Sequence, residues 1–309
     1  MADNGHDLWL KSAANQKAQV TVTGRPTPTI DVAKDELQKA WKGDKVTLTV
    51  GGEAKSDEAF TIEISAGKPV ITSKTDRGVL YGAYHLLRLQ AIGANVSDTT
   101  LTESPAFDIR ILNHWDNLDG TVERGYAGKS IWHWDGDSIN EADRKRYELY
   151  AKANASIGIN ATVINNVNAS PEMLSEDILK RVAEIADILR PYGIKTFLSV
   201  NFSSPIKLAG TVDADPLRAE VRSWWKTKAD EIYDMIPDFG GFLVKANSEG
   251  LPGPLDYGRT HVDGANMLAE ALAPHNGVVL WRAFVYSPTI SKSLNSAKAF
   301  IRLRCASRE

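Results

Sequence analysis

The chain has 309 residues, 36 basic and 39 acidic side chains, a net charge of -3 and 43% hydrophobic content, enough for one large or two ordinary globular domains with a true core. Its near-neutral balance argues against nucleic acid or an anionic membrane as a partner. A single cysteine, Cys305, excludes an internal disulfide and any cysteine-based metal cluster.

Met1 to Ala13 has no apolar core of signal-peptide length, and no segment is long and apolar enough to span a bilayer. The expected location is therefore cytoplasmic, or outside the cell if a leader has been removed. Residues 1–104 read as one α+β unit. Its candidate strands are Val20–Thr23, Val46–Val50, Phe60–Ile64 and Pro69–Thr72, the last two joined by a hairpin-like turn at Ser65–Lys68. Asp31–Trp41 reads as a helix, and Asp76–Ala94 contains a second with Leu80, Tyr84, Leu87 and Ala91 on one face and Gly93 as its stop. No acid, base or nucleophile stands out in this part, which reads as support.

From Pro105 the pattern changes to strand, helix, strand, helix. Strands are expected over Ile109–Trp115, Ala161–Asn166, Thr196–Asn201, Phe242–Ala246 and Val278–Phe284, with amphipathic helices over Arg144–Ala155, Ser175–Leu189, Asp215–Met235 and Gly264–Ala273. Such alternation calls for parallel strands with right-handed crossovers. Five strands fit an open doubly wound sheet or an incomplete (β/α)8 TIM barrel. Polar and aromatic residues at most strand ends (Trp115, Asn166, Asn201, Lys245, Arg282) favour the barrel, whose chemistry gathers at strand C-termini. No Gly-rich phosphate loop follows a strand; Gly125–Ser130 has Glu123 where a Walker loop needs its first glycine. A barrel normally takes about 250 residues, and only about 205 follow Pro105. Residues 105–309 are therefore expected to form a truncated barrel domain, two or three β/α units short.

The most informative stretch is Gly240–Gly250. Phe242–Val244 read as a buried strand, delivering Lys245, Asn247, Ser248 and Glu249 to its end. A carboxyl desolvated there suits a general acid, which makes Glu249 the best catalytic candidate. Lys245 and Arg282, from the ends of successive strands, make a clamp for a substrate carboxylate; the bland reading pairs Arg282 with Asp256, Asp263 or Glu270. Eight tryptophans hint at sugar stacking, although each alone is more readily a core residue. Trp115 offers an apolar wall, whereas His114 reads as a hydrogen-bonded core histidine because no Ser or Cys elbow accompanies it. His133, Asp135 and Asp137 alternate without metal-site spacing and read as a surface loop.

These motifs resemble a known family. Asn113–Gly120, Glu123–Trp132, Lys245–Gly250, Tyr257–Met267 and Leu280–Tyr286 are similar to the xylan α-glucuronidases of glycoside hydrolase family 67, with a likeness running to about Tyr286. Residues 1–104 resemble the small accessory domain that precedes the barrel in that family and in β-hexosaminidases. The resemblance implies inverting hydrolysis of the α-1,2 bond between (4-O-methyl)glucuronic acid and the terminal xylose of xylooligosaccharides. It implies Glu249 as general acid and Lys245, Arg282, Trp115 and Val167 as substrate contacts; Asn201, at the end of its strand, joins them as a candidate contact. No metal or cofactor is expected, and homodimers are common in the family. An inverting hydrolase needs two carboxyl groups about 6.5–9.5 Å apart. The family takes the second from later strands, so impaired activity is expected, as is a tail from Ala297 onward unlike the family. Two competing readings are a non-catalytic binder of acidic xylooligosaccharides and a Schiff-base lyase using Lys245.

Overall fold

Along Phe60–Ser65 burial alternates, with Phe60, Ile62 and Ile64 inside and Glu63 and Ser65 outside, so the first sheet covers a core with one face. The computed structural model describes residues 9, 18–95, 97–136, 138–247, 250–283 and 302–303. They divide into two units, and the first comprises Met1–Arg110, Arg146–Asn160 and Leu189–Ile194.

The first unit contains β1 (Gln19–Thr23), α1 (Pro28–Ala40), β2 (Lys45–Val50), β3 (Phe60–Ser65), β4 (Lys68–Ser73), α2 (Asp76–Ala91) and β5 (Thr99–Glu103). The strand order is β1-β2-β4-β3-β5, with β1, β2 and β4 mutually parallel and β3 antiparallel to both its neighbours. Ser65 pairs with Lys68, so Ala66 and Gly67 alone make the turn, at φ 48° and 72°. Two positive φ angles give the type I′ geometry whose twist matches a hairpin. Both helices start on a threonine cap: Thr27 Oγ1 accepts from the Ile30 N–H and Thr75 Oγ1 from the Gly78 N–H. The cap at Thr27 starts α1 three residues before the expected Asp31. Strand β5 was not foreseen, because its outward threonines and glutamate leave little apolar pattern. A buried ion network also lies here, where Glu58 meets Arg77 at 2.9 Å and Arg110 at 2.6 Å and accepts from Asn160 Nδ2 at 2.8 Å.

The second unit is a six-stranded sheet. Its parallel strands are β6 (Ile111–Asn113), β7 (Ala161–Val163), β8 (Lys195–Val200), β9 (Gly241–Ala246) and β10 (Val278–Ala283), in sequence order. Helices α3 (Glu141–Ser156), α4 (Glu176–Leu189), α5 (Ser204–Ala209), α6 (Ala219–Met235) and α7 (His261–Leu272) alternate with them; α3 mostly belongs to the first unit. β11 (Arg302–Leu303) lies antiparallel on β10, an edge the alternation does not predict. The parallel sheet is curled as a half barrel. One apolar cluster on its inner face draws Ile111, Ala161, Val163, Phe197, Leu243, Val278 and Leu280 from five strands. Side chains of the opposite parity face helices: Phe242 packs edge-on to Trp225 of α6, and Trp281 to His261 of α7. Gly241 is required at the start of β9, where a Cβ at φ 134° would stand 2.0 Å from the Val278 carbonyl oxygen.

Two expected strands are shorter than the sequence pattern. β6 ends at Asn113 rather than Trp115, since the Trp115 carbonyl accepts from the Glu123 N–H and that of Asp116 from the Asn166 N–H. β7 ends at Val163 rather than Asn166 for the reason given below. Helix α6 starts at Ala219 rather than Asp215, which instead turns back to accept from the Leu217 N–H. α7 starts earlier than Gly264, because Thr260 and Asp263 close a capping box.

Candidate active site

Side chains alternate along a strand, so the inner face continues upward from Phe197 to Ser199 and Asn201, from Leu243 to Lys245, and from Leu280 to Arg282. Lys245 and Arg282 are direct partners in the β9–β10 register, at the carboxyl ends of those strands. Lys245 is 2% exposed and Arg282 half-buried. Trp115 and Val167 belong to the inner apolar cluster itself. Four of the expected contacts thus share one face, two aromatic or aliphatic and two cationic. That combination matches a ring carrying a carboxylate: an apolar wall for the ring and cations for the charge.

Asparagines hold this rim together. Asn165 is buried; its Oδ1 accepts from the Ser199 N–H at 2.8 Å and its Nδ2 donates to the Ser199 carbonyl at 2.9 Å. The amide takes the place of a strand backbone, continuing the β7–β8 pairing after β7 has ended. The next residue, Asn166, donates to the Trp115 and Glu123 carbonyls and to Asn117 Oδ1, at 3.2, 2.9 and 2.9 Å. It thereby fixes the loop carrying Trp115. Its Oδ1 accepts from the Asn168 N–H at 2.9 Å. Asn168 Oδ1 in turn accepts from Lys245 Nζ at 2.7 Å, across 77 residues of sequence. Asn165, Asn166 and Asn168, with Asp116, Asp119 and Ser170, line a cleft of about 280 Å³.

Asn201 is buried and engaged locally. Its Oδ1 accepts from both the N–H and the hydroxyl of Ser203, and its Nδ2 donates to the Ala169 carbonyl at 3.2 Å. Glu249 and Ser248, expected to carry the acid chemistry, lie outside the described residues. The carboxylates weighed as partners for Arg282 are engaged elsewhere: Asp256 accepts from the Gly253 N–H and Asn247, Asp263 caps α7, and Glu270 pairs with Arg222. His114 lies 3.3 Å from Asp116 and edge-on to the buried Trp132, a structural setting. Burial pushes the Asp116 carboxyl up, but hydrogen bonds from His114, the Ser130 hydroxyl and the Ile131 N–H outweigh it and hold the group below the usual carboxylate range. His133 pairs with Asp143, and Asp137 lies outside the described residues. Among the described residues, no group of three acidic, histidine or cysteine side chains could hold a metal, and no helix is long and apolar enough to cross a membrane.

The sequence reading missed Asn165 and Asn168, and it weighed Asn166 only as a strand end. A polar run Asn165-Asn166-Val167-Asn168 directly after a β-branched strand was the available signal. It also missed the structural part played by the Tyr257–Met267 motif, in which Arg259 forks onto Asp215 at 2.8–3.2 Å.

Residues 89–302 match the glycosyl hydrolase family 67 middle domain. The chain belongs to glycosyl hydrolase family 67. That match runs past Tyr286, where the likeness was expected to fade, and into the tail expected to lack it. Alpha-glucuronidase A of Emericella nidulans is 47% identical over 246 residues, which cover 76% of this chain and 29% of the relative. Probable alpha-glucuronidase A of Aspergillus clavatus is 39% identical over 330 aligned positions, covering 94% and 39%. The chain therefore spans about three to four tenths of the length of these curated relatives. Among solved structures, a GH138 enzyme targeting pectin rhamnogalacturonan II aligns over 86% of this chain and 44% of its own, with a TM-score of 0.55 at 15% identity. Streptomyces plicatus N-acetyl-β-hexosaminidase aligns over 87% and 62%, with a TM-score of 0.54 at 10% identity. At such identities the likeness is one of fold.

Proposed function

We propose that this chain carries the glucuronate-binding part of an α-glucuronidase of xylan degradation. The bond attacked is the α-1,2 link between (4-O-methyl)glucuronic acid and the terminal xylose of a xylooligosaccharide, cleaved with inversion. One observation carries the reading: Lys245 and Arg282 stand side by side in register on the face that holds Trp115 and Val167. In this reading Arg282 grips the uronate carboxylate with its two-pronged guanidinium, and Lys245 adds a desolvated point charge. Trp115 and Val167 wall the sugar ring, and Asn201 borders the pocket. Glu249, four residues beyond Lys245, protonates the leaving oxygen.

The same reading takes residues 1–104 as an accessory domain and 105–309 as part of a (β/α)8 barrel, and it expects homodimers. Inversion needs a second carboxylate to activate water. Asp116 is committed to three donors, Asp256 to a backbone N–H and an amide, and Asp263 to its helix cap. We therefore expect the 309-residue chain alone to turn over poorly. Those commitments also favour a second reading, a binder of acidic xylooligosaccharides without turnover.

Release of 4-O-methylglucuronic acid from a short aldouronic acid separates the two, with Glu249→Gln as control. Release that depends on Glu249 supports the hydrolase. Tight binding of the acidic sugar without release supports the binder. Equal binding of an uncharged xylooligosaccharide would sink the Lys245/Arg282 clamp and both readings with it.

A further inference from the structure

We infer that Asn168 is a positioning residue for Lys245, anchoring its ammonium through Asn166 to the loop that carries Trp115. The inference rests on the uronate-clamp reading for what Lys245 binds, but not for how Lys245 is held.

A buried lysine has a long, flexible stem whose ammonium must be anchored to act as a directed charge. Asn168 Oδ1 is such an anchor, at 2.7 Å from Nζ, and takes one of the three donors of the ammonium. The anchor is itself fixed. The Asn168 N–H donates to Asn166 Oδ1, and the Asn166 amide donates to the carbonyls of Trp115 and Glu123. A continuous path of hydrogen bonds therefore runs from the end of β9 to the loop after β6, crossing the rim of the sheet. It ties the cation that would meet the carboxylate to the backbone of Trp115, whose ring would meet the sugar face. A strand end and a loop far apart in sequence thus share one reference frame, the condition for binding a ligand at two points without paying to order them. The side chain of Asn168 makes the bond to Lys245, and its backbone N–H makes the bond to Asn166. Replacing that side chain should remove this anchor of the ammonium and keep the backbone bond to Asn166.

The test uses the full chain with four variants: Asn168→Leu, which keeps the volume without the acceptor, Asn168→Asp, which keeps the acceptor, Lys245→Met, and the double variant Asn168→Leu/Lys245→Met. Affinity is measured by calorimetry for a short aldouronic acid and for the uncharged xylooligosaccharide of the same length. Loss of a hydrogen bond to a charged group corresponds to about a 10- to 100-fold loss of affinity. Asn168→Leu is expected to show that loss for the acidic sugar and less than about a threefold change for the neutral one. Asn168→Asp, whose added carboxylate competes with the uronate for Lys245, should not recover it, and the double variant should bind no worse than Lys245→Met alone. Additive losses, or equal losses for both sugars, would overturn the inference. A second readout is independent of the ligand: the mobility of the Lys245 side chain, followed by carbon-13 NMR relaxation at Cε. Removing the acceptor should raise that mobility in Asn168→Leu, whereas Asn168→Asp, which keeps an acceptor, should leave it low. If Lys245→Met binds the acidic sugar normally, the clamp reading fails and the mobility alone judges the positioning. An unchanged mobility in Asn168→Leu would then overturn it.

Discussion

Replacing Asn165 with leucine should unzip the top of the sheet between β7 and β8. Asn165 is 3% exposed, and its amide pairs with both the N–H and the carbonyl of Ser199, at 2.8 and 2.9 Å. Leucine fills nearly the same volume but pairs with neither. Two backbone groups of a residue with a fully buried side chain are then left without partners. Each such group costs about 1–3 kcal/mol, and the added apolar burial returns about 1 kcal/mol. The net destabilisation should be about 1–5 kcal/mol. Urea unfolding followed by far-ultraviolet circular dichroism gives the midpoint shift, read at constant slope. Amide exchange locates the change: the Ser199 amide should lose protection, whereas the β2 and β4 amides of the other unit should keep theirs. A shift below about 0.5 kcal/mol, with Ser199 still protected, would mean that the side-chain pairing contributes nothing and that β7 is held by packing alone.

Two further outcomes follow from buried charge. Glu58→Gln leaves Arg77 and Arg110 without their shared carboxylate, and should cost about 3 kcal/mol because breaking a buried pair strands its partners. Chemical unfolding checks this, and a neutral result would show that water replaces the carboxylate. Burial depresses the His261 imidazole below its ordinary value of 6.5. Its contribution to stability is therefore present above about pH 6.5 and is lost as pH falls through the lower folded value. His261→Phe should flatten the fall in melting temperature between pH 7.5 and 5. Some slope should persist, because burial depresses His85 as well. An unchanged slope would exclude His261 as a source.

Local chemistry determined much of this protein in advance. The threonine caps, the Ala66–Gly67 turn and the strand alternation are written in neighbouring residues, so four of the five strands of the first sheet and both its helices follow from short windows of sequence. The β/α alternation after Pro105 did the same for the five parallel strands and put Lys245 and Arg282 at the ends of two successive ones; their register then set them side by side. Tertiary structure decided where the regular pattern stops and what replaces it. β6 and β7 end early because Asn165 and Asn166 offer side-chain partners to Ser199 and to the Trp115 loop, across 34 and 51 residues. Asn168 meets Lys245 across 77, and β11 turns an otherwise parallel edge antiparallel. No periodicity signals such bonds, because an asparagine can serve as turn former, cap or surrogate strand until the chain it will pair with is brought beside it. Sequence supplied the strands and the charges at their ends; only the folded sheet decided which amide holds which of them.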